Sequence, residues 1–369
     1  MGQDHRPRHV EVNGTTIDAR RGILMATGSQ PMIPPIPGLS EVEYWTNHEA
    51  IEVEELPASL AVLGGGPVGC ELGQVFARFG VEVTFIEGGE RLLVHEEPEA
   101  SRLVAESLIE DGATLRLGVH AESVSSDDGS TRVHLDDGTN VTSERLLVAT
   151  GRRSDADSVG VASAGASTNR GFVEVDGLMR AGDRLWAIGD VTGKGLLTQV
   201  AEYQGMIAVE DILGGEPRPA DYRAIPRATF TDPEVGSVGM SEAEARSAGH
   251  EVTATVKNTQ ATFRGWVNAS PHSGFIKLVA DESEDRLLGG TVVGPRATEV
   301  LGFLSLAVQE RIPLGNLVNM IYAFPTFYGG IGEALGAYGR GITRVLDPDS
   351  EPVFGDPADS GLRSPTERG

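Results

Sequence analysis

At 369 residues, with 40 % hydrophobic and 23 % charged side chains, the chain is long enough for two or three domains with real cores and has an ordinary globular composition. Its net charge of −24 repels phosphate backbones and argues against nucleic-acid binding, and no apolar run approaches the roughly 20 residues that span a bilayer. One cysteine, Cys70, excludes an intrachain disulfide, a cysteine-rich zinc site and a redox dithiol within these residues.

The polar opening segment carries no apolar leader, so a cytoplasmic location is expected. Residues 22–26 read as an apolar strand running into Thr27-Gly28. Pro31, Pro34, Pro35 and Pro37-Gly38 follow; proline locks φ and lacks an N–H, so this stretch reads as an extended connector and a domain crossing. A buried strand is predicted at 59–63, a helix at 67–79 ended by Gly80, a β-branched strand at 81–86 and a helix at 97–110 stopped by Asp111-Gly112. The turn signals Asp127-Asp128-Gly129 and Asp136-Asp137-Gly138 punctuate a hairpin meander.

Residues 145–151, ending Ala149-Thr150-Gly151, repeat the earlier Ala26-Thr27-Gly28 phrase, so the chain is expected to leave one domain and re-enter it there. Beyond Arg223 a strand pair at 228–239, a Ser241/Glu244 capping box, strands at 276–280 and 287–293 and a helix at 298–311 make an α+β module. From Asp347 onward the chain is rich in Pro, Asp and Ser, and a disordered tail is expected.

Gly64-Gly65-Gly66-Pro67-Val68-Gly69 matches G-x-G-x-x-G between a buried strand and a helix. Gly64 permits the tight turn, Gly66 lets backbone approach a pyrophosphate, and Gly69 lets helix and strand pack closely. The helix N-terminus offers N–H groups and the positive dipole end to phosphate. Glu87 closes the next strand about 20 residues on, where a carboxylate accepts from the adenosine ribose hydroxyls. A 2′-phosphate would meet repulsion there, and the first arginine comes only at Arg91, so NAD(H) is favoured over NADP(H).

Those residues, together with Ala26-Thr27-Gly28, Glu71, Ala149-Thr150-Gly151-Arg152-Arg153, Ile188-Gly189-Asp190 and Phe230-Thr-Asp-Pro-Glu-Val, resemble the class I pyridine nucleotide-disulfide oxidoreductases from about residue 10 to 345. That family includes dihydrolipoyl dehydrogenase, glutathione reductase and mercuric reductase. The resemblance implies an α/β fold in which a Rossmann-like NAD domain (40–144) is inserted in an incomplete FAD domain (1–39 and 145–222). An α+β dimerisation domain (223–346) and the tail (347–369) follow, and a homodimer is implied. Thr27, Gly28 and Ser29 would lie along the flavin, Asp190 at its ribityl or phosphate region, and Leu196, Leu197, Thr198 and Gln199 near its ring. Glu71, Glu87, Val124 and Gly151 match positions that contact NAD.

Three departures temper the likeness. The family's opening FAD-binding strand and glycine loop are absent, as is its C-x-x-x-x-C helix, so the chain is expected to lack an N-terminal part and FAD occupancy is left open. Where many members read His-x-His-Pro-Thr-x-Ser-Glu, this chain reads Tyr322-Ala323-Phe324-Pro325-Thr326-Phe327-Tyr328-Gly329; phenylalanine cannot transfer a proton. No catalytic residue and no metal site are assigned; His5, His9 and His95 read as solvated surface residues. The expected function is hydride transfer between NADH and FAD, without the redox dithiol and catalytic His. The alternative is a catalytically incomplete NAD-binding dimerisation module that needs a separately encoded FAD half. A flavin-free dehydrogenase would require a His or Lys beside a substrate pocket, and the sequence offers none.

Overall fold

The computed structural model describes residues 8–268, 274–336 and 338. It divides into two compact units, one containing the chain up to Met32 with Gly151–Tyr222, the other Ile33–Thr150 with the chain from Arg223 onward. The expected tail, 347–369, lies outside the described residues.

In the first unit the strand Ile23–Met25 pairs in parallel with Leu185–Ala187, which pairs antiparallel with Arg180–Gly182. The apolar strand expected here is present; among the described residues it is an edge strand, and Leu24 is 37 % exposed. The helix Thr198–Ile212 was not marked by periodicity. It buries Val200, Gln204, Ile207 and Ala208 while Met206 and Val209 face outward, so no clean apolar stripe exists to read. Asp211 anchors it, accepting from Trp186 Nε1 at 2.8 Å and Arg180 Nε at 2.7 Å.

The second unit holds a parallel four-stranded sheet in the order Arg145–Val148, Ser59–Leu63, Glu82–Glu87, Thr114–Leu117. Leu60, Val62 and Phe85 are fully buried, each contributing on the order of 1.5–3 kcal/mol. The helices Pro67–Arg78 and Pro98–Glu110 both open on proline, whose missing N–H costs nothing in a first turn. The expected meander is present as Ala121–Asp127, Ser130–Leu135 and Asn140–Ser143.

The compact units divide near the boundaries expected at 39/40 and 144/145. Residues 145–148 add a strand to this inner sheet through Leu146↔Ala61, and Leu39, 1 % exposed, packs in the same core as Ile86 and Leu146. The chain crosses between units at Met32/Ile33 and Thr150/Gly151. The proline-rich connector therefore belongs mostly to the inner unit, where Pro37 O accepts the Val124 N–H at 2.8 Å.

The same unit carries a five-stranded antiparallel sheet in the order Pro226–Thr229, Val235–Gly239, Arg286–Val293, Phe275–Asp281, Val252–Asn258, covered by the helix Ala297–Gln309. Val252–Asn258 was not read from the sequence. Val235, Val256, Phe275 and Val293 of this sheet share one core with Phe76, Phe85 and Val104 of the parallel-sheet part. No helix among the described residues is long and apolar enough to cross a membrane.

Candidate functional site

The glycine loop follows Ser59–Leu63 directly. Gly64 adopts φ 108°, and a Cβ there would stand 2.5 Å from Ala149 O, so only glycine makes this turn. A Cβ on Gly69 would lie 2.2 Å from Gly64 O, which is the close helix–strand approach the spacing predicts. Gly66 differs: nothing lies within 4 Å of its Cβ position. It precedes the helix Pro67–Arg78, whose N-terminus no side chain caps. Open space beside uncapped amides at a positive dipole end is a cradle of the kind a pyrophosphate fits.

Glu87 stands at the rim. Its Oε2 accepts the Gly65 N–H at 2.6 Å and its Oε1 accepts the Gly89 N–H at 2.6 Å. Each carboxylate oxygen keeps a further lone pair for a ribose hydroxyl. Arg91 is turned onto its own loop: Nη1 donates to Leu93 O at 3.1 Å and Nη2 to Val94 O at 2.7 Å. Sequence reasoning missed this brace, and it missed Leu92 and Leu93, which pack on Gly65; the apolar run Leu92-Leu93-Val94 in an otherwise polar, glycine-bearing loop is the signal that could have found them.

Two residues expected beside the nucleotide, Val124 and Glu71, have protein neighbours of their own. Val124 is 4 % exposed and sits in core with Leu39, Ile86 and Leu146, because its strand is one member of the meander that lines that core. Glu71 is held on the C-terminal segment, accepting the Phe230 N–H at 2.8 Å; burial raises its pKa and that hydrogen bond opposes the rise. Gly151, φ 122°, belongs to the other unit, its carbonyl accepting the Met32 N–H at 2.9 Å.

In the first unit, Ser29 and Asp190 come together although 161 positions separate them. Ser29 Oγ donates to Asp190 Oδ2 at 2.5 Å and accepts from Arg152 Nε at 2.7 Å; Arg152 Nη2 donates to Ser29 O at 2.8 Å. Asp190 follows Gly189, whose N–H is fixed by the fully buried Gln204 Oε1 at 2.6 Å. Gly28, φ 72°, has nothing within 4 Å of its Cβ position, and Thr27 is exposed beside it. Leu196 takes φ 52°, Leu197 forms the N-cap, and Thr198 and Gln199 begin the helix. Arg152 stands in the Ala149–Arg153 motif, but the resemblance assigns it no role of its own.

At the position of the family histidine, Phe324 is 75 % exposed and its ring lies 5.1 Å from that of Phe263. Tyr322 donates to Leu317 O at 2.9 Å, and burial pushes its pKa up to about 12. Cys70 is fully buried beneath the glycine loop, its thiol donating to Gly65 O at 3.3 Å, and burial pushes its pKa up. His9 pairs with Asp18 at 2.7 Å and His95 is exposed; His5 lies outside the described residues. His250, Asp281 and Glu284 bring ligand-type atoms within 4.8 Å, but these are engaged with one another, with Ser283 and with Arg286.

Residues 3–205 match the family described as pyridine nucleotide-disulphide oxidoreductase, and residues 225–335 match its dimerisation domain. The chain belongs to the pyridine nucleotide-disulphide oxidoreductase family. Among its relatives, mercuric reductase from Staphylococcus aureus is 33 % identical over 341 residues, 91 % of this chain and 62 % of the relative. Dihydrolipoyl dehydrogenase from Chlorobaculum tepidum is 36 % identical over 322 residues, 85 % of this chain and 68 % of the relative. The solved structure of a HOCl-induced flavoprotein disulfide reductase from Escherichia coli superposes with a TM-score of 0.81 at 27 % identity, covering 89 % of this chain and 76 % of that one. This family member thus spans under two thirds of the length of the mercuric reductase it matches. The α/β fold with a dimerisation domain is that of the flavoprotein disulfide reductases.

Proposed function

We propose that the chain binds NAD(H), in preference to NADP(H), on Gly64–Gly69 and Glu87, and that it serves hydride transfer between NADH and FAD. The observation that carries the reading is the glycine loop itself: Gly64 and Gly69 are sterically closed, Gly66 alone stands open, and Glu87 is tied to the loop by the Gly65 N–H. The preference for NAD(H) rests on charge. A 2′-phosphate would face the Glu87 carboxylate, and the first arginine after it in the chain, Arg91, donates to the Leu93 and Val94 carbonyls of its own loop.

Thr27, Gly28, Ser29 and Asp190, with Leu196 to Gln199, are the residues that would hold the flavin; the linked Ser29–Asp190–Arg152 group supports this. Flavin, when bound, supplies the two-electron chemistry, accepting a hydride from reduced nicotinamide. The chain's part is placement: loop amides neutralise the pyrophosphate, Glu87 orients the adenosine ribose, and Arg152 keeps Asp190 and Ser29 in register. The acceptor beyond flavin is one that needs no dithiol from these residues, since Cys70 is their only cysteine. Two copies paired through residues 225–335 complete the assembly.

A second reading is favoured by the open edge of Ile23–Met25, where Leu24 is 37 % exposed. In it the chain is an NAD-binding dimerisation module, and a separately encoded FAD half adds its sheet at that edge. Titration of the purified protein with NADH and NADPH, alongside its visible spectrum, tests both. Tight NADH binding with flavin absorbance supports the first reading, and tight binding by colourless protein supports the second. Failure of folded protein to bind NADH overturns the nucleotide site common to both.

A further inference from the structure

Lys277, one of only three lysines, sits in the strand Phe275–Asp281, all seven residues of which are buried, and is itself 3 % exposed. Its ammonium lies 2.9 Å from Glu97 Oε2, 2.8 Å from Glu99 Oε1 and 3.0 Å from Glu242 Oε2. The other oxygen of Glu97 accepts the Glu242 N–H at 2.7 Å. In the same register row, three strands across the sheet, Arg227 Nε stands 3.1 Å from Glu96 Oε1. Two cations of the antiparallel sheet thus grip three carboxylates within residues 96–99 of the nucleotide-binding part.

Stability alone does not account for such a cluster, because apolar residues of equal volume hold an interface as well or better. What the three glutamates terminate does account for it. The segment from Gly88 to Glu97 starts at Glu87, on the rim of the nucleotide cradle. Leu92 and Leu93 are 0 % and 3 % exposed, and Leu93 donates its N–H to Gly65 O at 2.8 Å. A Cβ on Gly65 would lie 2.5 Å from Leu92 Cδ2, so the segment is pressed directly on the glycine loop. Leu93 takes φ 46°, a left-handed conformation that leucine adopts only where its surroundings over-determine it.

Those surroundings are anchored at Glu96, Glu97 and Glu99. Glu96 Oε2 and Glu99 Oε2 are buried without a hydrogen-bond partner, so the carboxylates outnumber the cations holding them. Without the cations these buried carboxylates would be left uncompensated, the costly case for a buried charge.

We infer that Lys277 and Arg227 are positioning residues for the dinucleotide: by gripping Glu96, Glu97 and Glu99 they hold residues 88–96 closed on Gly65, and so set Glu87 and its neighbouring amides at the adenosine end of NAD(H). Neither cation touches the ligand. The inference rests on the reading of Gly64–Gly69 as the nucleotide site. It makes the antiparallel sheet, remote in sequence, a determinant of nucleotide affinity.

The test is titration of the full chain with NADH and with ADP-ribose, which carries the adenosine end without nicotinamide, well below each variant's unfolding midpoint. Lys277→Gln and Arg227→Gln are each expected to weaken both ligands by the same factor, about tenfold. Hydrogen exchange is expected to speed up across 88–97 while the helix Pro98–Glu110 stays protected. Arg227, whose side chain is 36 % exposed, carries the test if Lys277→Gln does not fold. A merely structural role lowers the unfolding midpoint and leaves both affinities and the exchange of 88–97 unchanged, which overturns the inference. If the unsubstituted chain itself binds neither ligand, the nucleotide reading fails instead.

Discussion

Glu87 Oε2 accepts the Gly65 N–H at 2.6 Å, so the carboxylate that ends the second strand is bonded to the loop that follows the first. Both oxygens serve as acceptors, since Oε1 takes the Gly89 N–H. A glutamine has one acceptor oxygen and would turn its NH2 toward one of these donors. Glu87→Gln is therefore expected to loosen the loop and cost about 1–3 kcal/mol of NADH binding, read by calorimetric titration. Glu87→Arg removes the repulsion toward a 2′-phosphate and supplies a partner for it, so the NADPH-to-NADH affinity ratio is expected to rise. An unchanged ratio means that the loop does not read the ribose.

Gly66 and Gly69 separate binding from folding. Alanine at 66 enters open space at φ −76°, so the unfolding midpoint should hold or rise slightly while NADH affinity falls by at least about tenfold. Alanine at 69 would meet Gly64 O at 2.2 Å, and the helix must shift, costing about 1–3 kcal/mol of stability as overpacking does. Thermal melts and titrations on the two variants check the contrast.

Asp190→Asn leaves Ser29 Oγ and Arg152 without their charged partner in a half-buried site. The expected loss is about 1–2 kcal/mol in the transition of the first unit under urea, followed by tryptophan fluorescence through Trp186. Under the flavin reading the same variant retains less visible absorbance per mole of protein.

Acid sensitivity follows from Asp281. Hydrogen bonds from Ser283, and then from His250, outweigh burial and bring its pKa from the ordinary 3.8 down to about 2. A folded pKa below the unfolded one stabilises the protein fully above about pH 4, and that contribution is lost as pH falls from there toward 2. Melting midpoints measured between pH 5 and 2.5 are expected to fall less steeply in Asp281→Asn than in the unsubstituted chain. Parallel slopes would remove Asp281 from the acid response.

The elements visible beforehand were those in which local chemistry and tertiary demand coincide. The glycine spacing at 64–69 and the Asp-Asp-Gly turns each act within a few residues, and each stands where the sequence predicts. The elements missed depend on neighbours far along the chain. Thr198–Ile212 is helical without a clean apolar stripe because it buries the polar Gln204 and leaves Met206 and Val209 exposed, and Val252–Asn258 becomes a strand by pairing with Phe275–Asp281. Arg145–Val148 finds its partner in Ser59–Leu63, and a repeated Ala-Thr-Gly phrase carries no information about such pairing.

By itself the sequence determined the family, the place of the glycine loop and of the acidic residue bonded to it, because backbone freedom at glycine and charge at Glu87 are properties of single positions. Only the tertiary structure decided that Val124 is core, that Glu71 turns to Phe230, that Arg91 is occupied, and that Lys277 meets Glu97 from 180 residues away. Those outcomes are set by burial and by the pairing of charges across elements, and both exist only once the chain has closed on itself.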